Sequence, residues 1–590
     1  MIDAGNGVNL KRCQAEDSPT QSMKRLLPMK IGILPTLIVA GLCVLGSNCL
    51  PLNAQEKLPV VLRSQQPVAE GAQQYHSVRS QQVWDLRATA VIVCDMWDAH
   101  HCLNAVRREG ELAPRVDAFV SALRERGGTI IHAPSGCMDA YEGHAARLRS
   151  KAIEPAEDFP DAIAEWCYQI PSEESAEYPI DQSDGGEDDD LAEHAMWAQR
   201  LAARGLIPKS PWKKQIDVIK IDETRDFISD SGTEIWSILE RREIQNVILV
   251  GVHTNMCVLG RPFGLRRLAS GGKNVVLARD LTDTMYNPGA WPYVNHFTGT
   301  DLIVSHIERL VCPTISSEQV LGGAPFRYST DQRPRLLMLV AEDEYLTETT
   351  LPDFASKHLG VDYRVRIVYG SHEERNEIVG IQEELRQADA LLVSVRRRAL
   401  PTRDLQLVRE FVSSGKPVIG IRTASHAFAL RDGLPPAGLA VWPEFDAQVW
   451  GGDYTGHYGN QLTSELSFIN DAFAESVAAE LFGKNGAGQG RKPWMSGGSL
   501  YKNESLKPGS HVWVEGQLED GATQPVAWTF IRDSGGKSFY TSLGHVDDFA
   551  QPAFQALLLK GIHWACDVQR PVTLEGVALQ EQRFNAGARQ

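Results

Sequence analysis

Short, almost wholly apolar runs recur along the chain, each followed by an amphipathic stretch. This alternation limits the fold more than any other feature. "ATAVIVC" precedes "LAPRVDAFVSALRERGG", and "TIIHAPS" follows it. Then come "IDVIKI", a helical pattern near "GTEIWSILERREI", "NVILVGV", "RPFGLRRLASGG", "NVVLARD" and a helix near 299–311. A strand apolar on both sides must be covered on both faces, so the pattern predicts a parallel sheet between helical layers. A polar, Gly- and Pro-containing stretch at 319–334 reads as a linker, after which the alternation restarts. The second round is "LLMLVAED", "YRVRIVYG", "ADALLVSVRRR", a helix near 403–414, "KPVIGIRTASHAF", then "HVWVEG", "PVAWTFIRD", "KSFYTSLGH" and a helix near 552–566. With 590 residues the chain is too long for one hydrophobic core. The expected architecture is α/β: two successive three-layer α/β/α domains with mostly parallel sheets, at 85–318 and 335–570. Residues 55–84 read as a loose leader and 571–590 as a C-terminal tail.

Two segments stand apart. Lys24, Arg25 and Lys30 precede the apolar run "IGILPTLIVAGLCVLG", and "LNA" before Gln55 fits a small-residue cleavage site. Residues 1–54 therefore read as a signal peptide, with an uncleaved anchor as the alternative, and the protein is expected to be exported. A long insertion at about 136–214 contains "PSEESAEYPIDQSDGGEDDDLAEH", many acids without Lys or Arg. The net charge of -16 argues against nucleic acid as a partner, because phosphates would be repelled. Seven cysteines follow the expected cleavage point, without a CxxC pair, so this is no disulfide scaffold.

At the carboxyl edge of a parallel sheet, residues just past the strand ends converge on one crevice. Asp95 ends "AVIVC", Lys220 lies in "DVIKI", and Cys257 follows "VILVGV". A cation stabilises a thiolate and a carboxylate takes and returns a proton, so the three together make a nucleophile set. Singly, each has a plainer reading: a helix cap, a solvated edge residue and a core thiol.

With "AVIVCDMWDAHHC", "VIKIDETRDF" and above all "VGVHTNMCV", residues 88–315 resemble the isochorismatase-like cysteine hydrolases. The resemblance implies a triad of Asp95, Lys220 and Cys257 that cleaves an amide or ureide-like C–N bond of a small-molecule substrate. It also implies a cis peptide between Val252 and His253, with the turn at Val252, His253 and Met256 forming the oxyanion site. Trp97, His100, His132 and Phe227 are the expected pocket residues. The family's usual Gln two residues after the Asp is Trp97 here. His100, His101, His132, Asp139 and His144 raise the question of zinc, but the family's Asp-Trp-His stretch is missing. No metal and no cofactor are expected.

"ADALLVSVRRRALPTRDLQLVREFVSSGKPVIGIRTASHAF", "WPEFDAQVWGGDYTGHYGN" and "VAWTFIRDSGGKSFYTSLGHVDDF" resemble the ThuA-like domain, similar in fold to class I glutamine amidotransferases. The turn after "KPVIGI", where that chemistry needs a Cys, reads "RTASHAF". Glutaminase chemistry is therefore not expected. Arg422, Ser425, His426, His457 and His545 remain as a candidate site, and the resemblance implies a carbohydrate-derived ligand. The rival reading of the whole chain is a small-molecule or carbohydrate-binding protein with a degenerate hydrolase site. A homo-oligomer is compatible with either.

Overall fold

The computed structural model describes residues 57–483 and 494–588, so the expected signal peptide lies outside the described residues. The described chain holds two large sheets with helices on their faces, the mostly parallel α/β architecture expected from the alternation.

The first sheet has eight strands, ordered in space Tyr75–Asp85, Lys57–Pro67, Thr314–Ile315, Asn274–Asp283, Asn246–Val252, Thr89–Cys94, Thr129–Ala133 and Phe227–Ile228. From Thr314–Ile315 to Phe227–Ile228 all neighbours are parallel. The central strands Thr89–Cys94 and Asn246–Val252 are buried along their whole length, which explains their unbroken apolar runs. In this pair Cys94 lies opposite Gly251. Gly251 has φ +108°, and a Cβ there would lie 2.0 Å from the Cys94 carbonyl oxygen. Only glycine lets the two strand ends approach so closely.

The leader expected at 55–84 is instead a long hairpin. Lys57–Pro67 pairs antiparallel with Tyr75–Asp85 and, at its other edge, with Thr314–Ile315. Leu58, Val60 and Leu62 alternate inward onto the core, a period of two that a polar composition concealed.

The second sheet has nine strands: Arg364–Tyr369, Arg335–Ala341, Ala390–Val395, Val418–Ile421, Lys537–Thr541, Thr523–Ile531, Ser510–Gln517, Glu465–Phe468 and Trp494–Met495. The first five are mutually parallel, and the last four extend the sheet antiparallel.

Three further segments differ from the sequence reading. The expected linker is anchored: Arg333 and Asp331 are both buried, and Arg333 Nε donates to Asp331 Oδ1 at 2.8 Å. Asp301, on the helix His296–Leu310, accepts from both Arg333 and Arg364, at 3.2 and 2.8 Å, so ion pairs staple the two halves. The expected tail is the helix Leu574–Gly587, whose Phe584 carbonyl accepts from Trp291 Nε1 of the first half at 3.2 Å. The acidic insertion is held down from within. Buried Glu173 accepts from Arg266 twice at 2.8 Å and lies 2.7 Å from His306 Nε2. Asp188 pairs with Arg108 at 2.7 Å, and Asp189 Oδ2 accepts from the Leu103 N–H. Part of the acid excess is thus spent on internal partners.

Candidate active site

Asp95 and Cys257 leave neighbouring central strands at the same edge, as expected. Asp95 follows Cys94 directly with φ +47°, a left-handed conformation that costs a non-glycine residue about 1–3 kcal/mol and gathers at functional sites. Its carboxylate is fully buried. Oδ1 accepts from the Ser135 N–H at 2.7 Å and Oδ2 from Arg261 Nε at 2.9 Å. The Cys257 thiol lies within reach of this charge. Burial, reinforced by the Asp95 charge and opposed by Arg261, pushes the thiol well above the usual cysteine range.

The turn Thr254–Val258 that carries Cys257 is pinned by its polar residues. Thr254 Oγ1 donates to the Asp283 carbonyl at 2.9 Å. Asn255 Nδ2 donates to the Met285 carbonyl at 2.9 Å, and Asn255 Oδ1 accepts from the Met285 N–H at 3.0 Å. The Val252–His253 peptide is cis, as the sequence resemblance implied. The Met256 N–H, expected in the oxyanion site, already donates to the His253 carbonyl at 3.0 Å.

Lys220 does not reach this site. "IDVIKI" is a turn rather than a strand: Ile219 tucks inward and Lys220 points to solvent, its Nζ donating to the Asp217 carbonyl at 2.7 Å. Its backbone is held in place by Arg124 Nη2, which donates to the Lys220 carbonyl at 2.9 Å. The cation beside Asp95 is Arg261, which sequence reasoning missed. Its backbone N–H donates to the Cys257 carbonyl at 3.0 Å, one helical turn on. That i, i+4 spacing puts both side chains on one face and is the signal that would have found it. Arg261 also lies 5.4 Å over the Trp166 ring of the insertion.

Of the expected pocket residues, Trp97 and His100 gather beside the His253 turn. Trp97 stacks on Trp212 at 4.5 Å, and His100 meets His253 edge-on at 4.9 Å. His253 is buried with neither ring nitrogen partnered, and burial lowers it to about 4. His132 and Phe227 belong to the core instead. His132 lies 2.9 Å from Gln215 Oε1 and 3.1 Å from Asp226 Oδ2, fully satisfied and fully buried. Phe227 is enclosed between strands, where Arg242 covers its ring at 5.6 Å. A cavity of about 450 Å3 opens beside the nucleophile turn, lined by Asn255 and Met256 and by Trp166, Tyr178 and Glu173 of the insertion. The insertion thus builds one wall of the pocket. Among the described residues no group of three His, Cys, Asp or Glu is arranged to hold a metal ion.

The second candidate set also converges. Arg422 follows Val418–Ile421 with φ +46°, the same strand-end position and conformation as Asp95. Its guanidinium lies 4.4 Å over Tyr345 and 4.7 Å over Tyr501. His426 stacks on Tyr454 at 4.7 Å, and Ser425 Oγ is 3.0 Å from its Nδ1. His457 lies 6.4 Å from Tyr501 but is exposed, and His545 lies 5.8 Å from Tyr345 while capping the helix Val546–Phe549. The tyrosines that organise this site come from distant parts of the chain, Tyr345 from a loop and Tyr454 and Tyr501 from the paired strands Tyr454–His457 and Tyr501–Asn503, which no local pattern marked.

Residues 369–565 match the family described as ThuA, trehalose utilisation. Solved structures similar to this chain include a ThuA-like protein from Parabacteroides merdae (16% identity, 41% of this chain and 93% of that one, TM-score 0.31). They also include a cysteine hydrolase from Pseudomonas syringae pv. phaseolicola (14%, 40% and 92%, 0.25). An isochorismatase family protein from Burkholderia thailandensis is a third (14%, 40% and 94%, 0.22). No curated protein matches the sequence.

Proposed function

We propose that the first half hydrolyses an amide or ureide-like C–N bond of a small molecule, with Cys257 as nucleophile, Asp95 as proton carrier and Arg261 as the cation. The observation that carries this reading is the buried Asp95 carboxylate, which follows the strand beside that of Cys257, accepts from Arg261 Nε at 2.9 Å and acts by its charge on the thiol. In the reaction the thiol proton passes to Asp95 as sulfur attacks the carbonyl carbon. The same proton then passes to the leaving nitrogen, and water, deprotonated by Asp95, cleaves the thioester. Moving the proton from sulfur to Asp95 shifts the negative charge from the carboxylate to the sulfur beside Arg261. The net buried charge does not change, which is how a thiol raised by burial can still react. The His253 backbone N–H, which acts to lower the thiol, is the donor proposed to steady the oxyanion.

The second half is proposed to bind a carbohydrate-derived ligand at Arg422 and its neighbours, and the chain to be exported through its N-terminal segment. The test of the hydrolase is a screen of amides, ureides and nicotinamide on the wild type beside Cys257→Ala. Turnover that persists in Cys257→Ala would remove the thiol from the mechanism.

A further inference from the structure

Arg422 is a buried cation with no acid in direct contact among the described residues; the Asp548 carboxylate acts on it at longer range and is taken by the Gly544 and His545 N–H groups. Only 2% of its surface is exposed, yet among the described residues no carboxylate forms an ion pair with it. Nη1 donates to the carbonyls of Ser542 at 2.8 Å and Ser499 at 3.2 Å. Nη2 makes only two long contacts, both 3.4 Å, to the hydroxyls of Tyr345 and Ser499. Nε is buried with no partner at all. A guanidinium taken out of water is costly unless something compensates its charge; here Tyr501, Tyr345 and Asp548 supply part of that compensation, while the Nε–Nη2 edge keeps an unfilled donor. That edge is the two-donor fork that fits a planar carboxylate.

The surroundings point the same way. Arg397, at the end of the adjacent strand Ala390–Val395, has φ +48° and also lacks an acid partner; its guanidinium makes one contact, 3.5 Å to the Ala429 carbonyl. By contrast, neighbouring Arg396 is neutralised by Glu344 at 2.6 Å. The positive field is felt by His426, whose ring is held neutral, down to about 3, by burial first and then by Arg397, Arg396 and Arg422. Gly498 packs directly against the guanidinium, since a Cβ there would lie 2.5 Å from Nη2. Around the cation stand half-buried Tyr345 and Tyr454, with Tyr501 behind, offering ring faces and hydroxyls. Aromatic faces with hydroxyl groups suit a ring that carries both C–H faces and hydroxyls.

We propose that this edge of the second sheet is a receptor for a carboxylate-bearing, hydroxyl-rich small molecule of the sugar-acid class, with Arg422 seating the carboxylate and Arg397 reinforcing it. The proposal deepens the carbohydrate-derived ligand proposed for the second half and rests on that reading. The carboxylate replaces the two long hydroxyl contacts and satisfies Nε.

Calorimetric titration of the full chain, as the Cys257→Ala form so that nothing is turned over, tests it with four probes: glucuronate, glucose, glucose 6-phosphate and succinate. Glucuronate is expected to bind at least tenfold more tightly than glucose and succinate, with affinity falling as salt rises. Arg397→Gln, at a half-exposed position whose folding is not at stake, is expected to weaken glucuronate about tenfold and leave glucose unchanged. Arg422→Gln should abolish the preference for the acid, read on material whose thermal melting is checked. Equal binding of glucose and glucuronate, or an Arg397→Gln variant that weakens both alike, would overturn the anion receptor while leaving a sugar site. Tighter binding of glucose 6-phosphate would overturn the carboxylate assignment. Succinate bound in preference to both sugars, or no binding by any probe, would overturn the inference together with the carbohydrate reading beneath it.

Discussion

Replacing Arg261 by Gln isolates the electrostatic part of the proposed chemistry. Glutamine keeps an N–H that can donate to Asp95 but removes the positive charge. Two unit charges about 4 Å apart interact by about 4 kcal/mol at an effective dielectric of about 20. The Arg261 side chain is 26% exposed, so solvent screens part of this and about 2 kcal/mol remains. Asp95 still raises the thiol, now unopposed, and less thiolate forms at any given pH. At about 1.4 kcal/mol per tenfold, alkylation of Cys257 by iodoacetamide at pH 7 should slow roughly 30-fold. Peptide mass spectrometry reads that rate against the other six described thiols, all free, in the same sample. Lys220→Ala, at an exposed position outside the site, should leave the rate within about twofold. An unchanged rate in Arg261→Gln, or an equal fall in Lys220→Ala, would refute the assignment of the cation.

Asp95→Asn should lower both labelling and catalysis: the thiol, still raised by burial, loses its proton acceptor and alkylates more slowly, while hydrolysis falls by at least 100-fold. His253 is lowered by burial to about 4, so its neutral ring is favoured in the folded state. The stability this contributes is complete above the unfolded value of about 6.5 and is lost as pH falls towards 4, roughly 2 kcal/mol at pH 5. His253→Phe should recover about that much in urea melts compared at pH 7 and pH 5, and parallel pH profiles for the two proteins would contradict it. Glu173→Gln leaves Arg266 and His306 without their buried acid and should cost about 3–5 kcal/mol in the same melts. Limited proteolysis should then cut first within the insertion near Glu173, which has lost its ion pairs to Arg266 and His306.

The sequence by itself determined the two α/β halves, because a strand buried on both faces must be apolar throughout and its covering helices must be amphipathic. It also placed Asp95 and Cys257, since each directly follows such a strand and needs only the strand order to meet the other. It failed where a residue's role depends on direction rather than position. Lys220 follows an apolar pattern like a strand's, but "IDVIKI" gains no partner strand and turns its lysine outward. His132 and Phe227 lie near the right edge, yet their side chains are claimed by Asp226, Gln215 and the core. Tertiary structure alone supplied Arg261 as the cation, the insertion as a pocket wall, and the loop and strand pair that bring Tyr345, Tyr454 and Tyr501 around Arg422. Local periodicity is written along the chain, whereas the pairing of a charge with its counter-charge, or its lack of one, exists only after distant segments have been brought together.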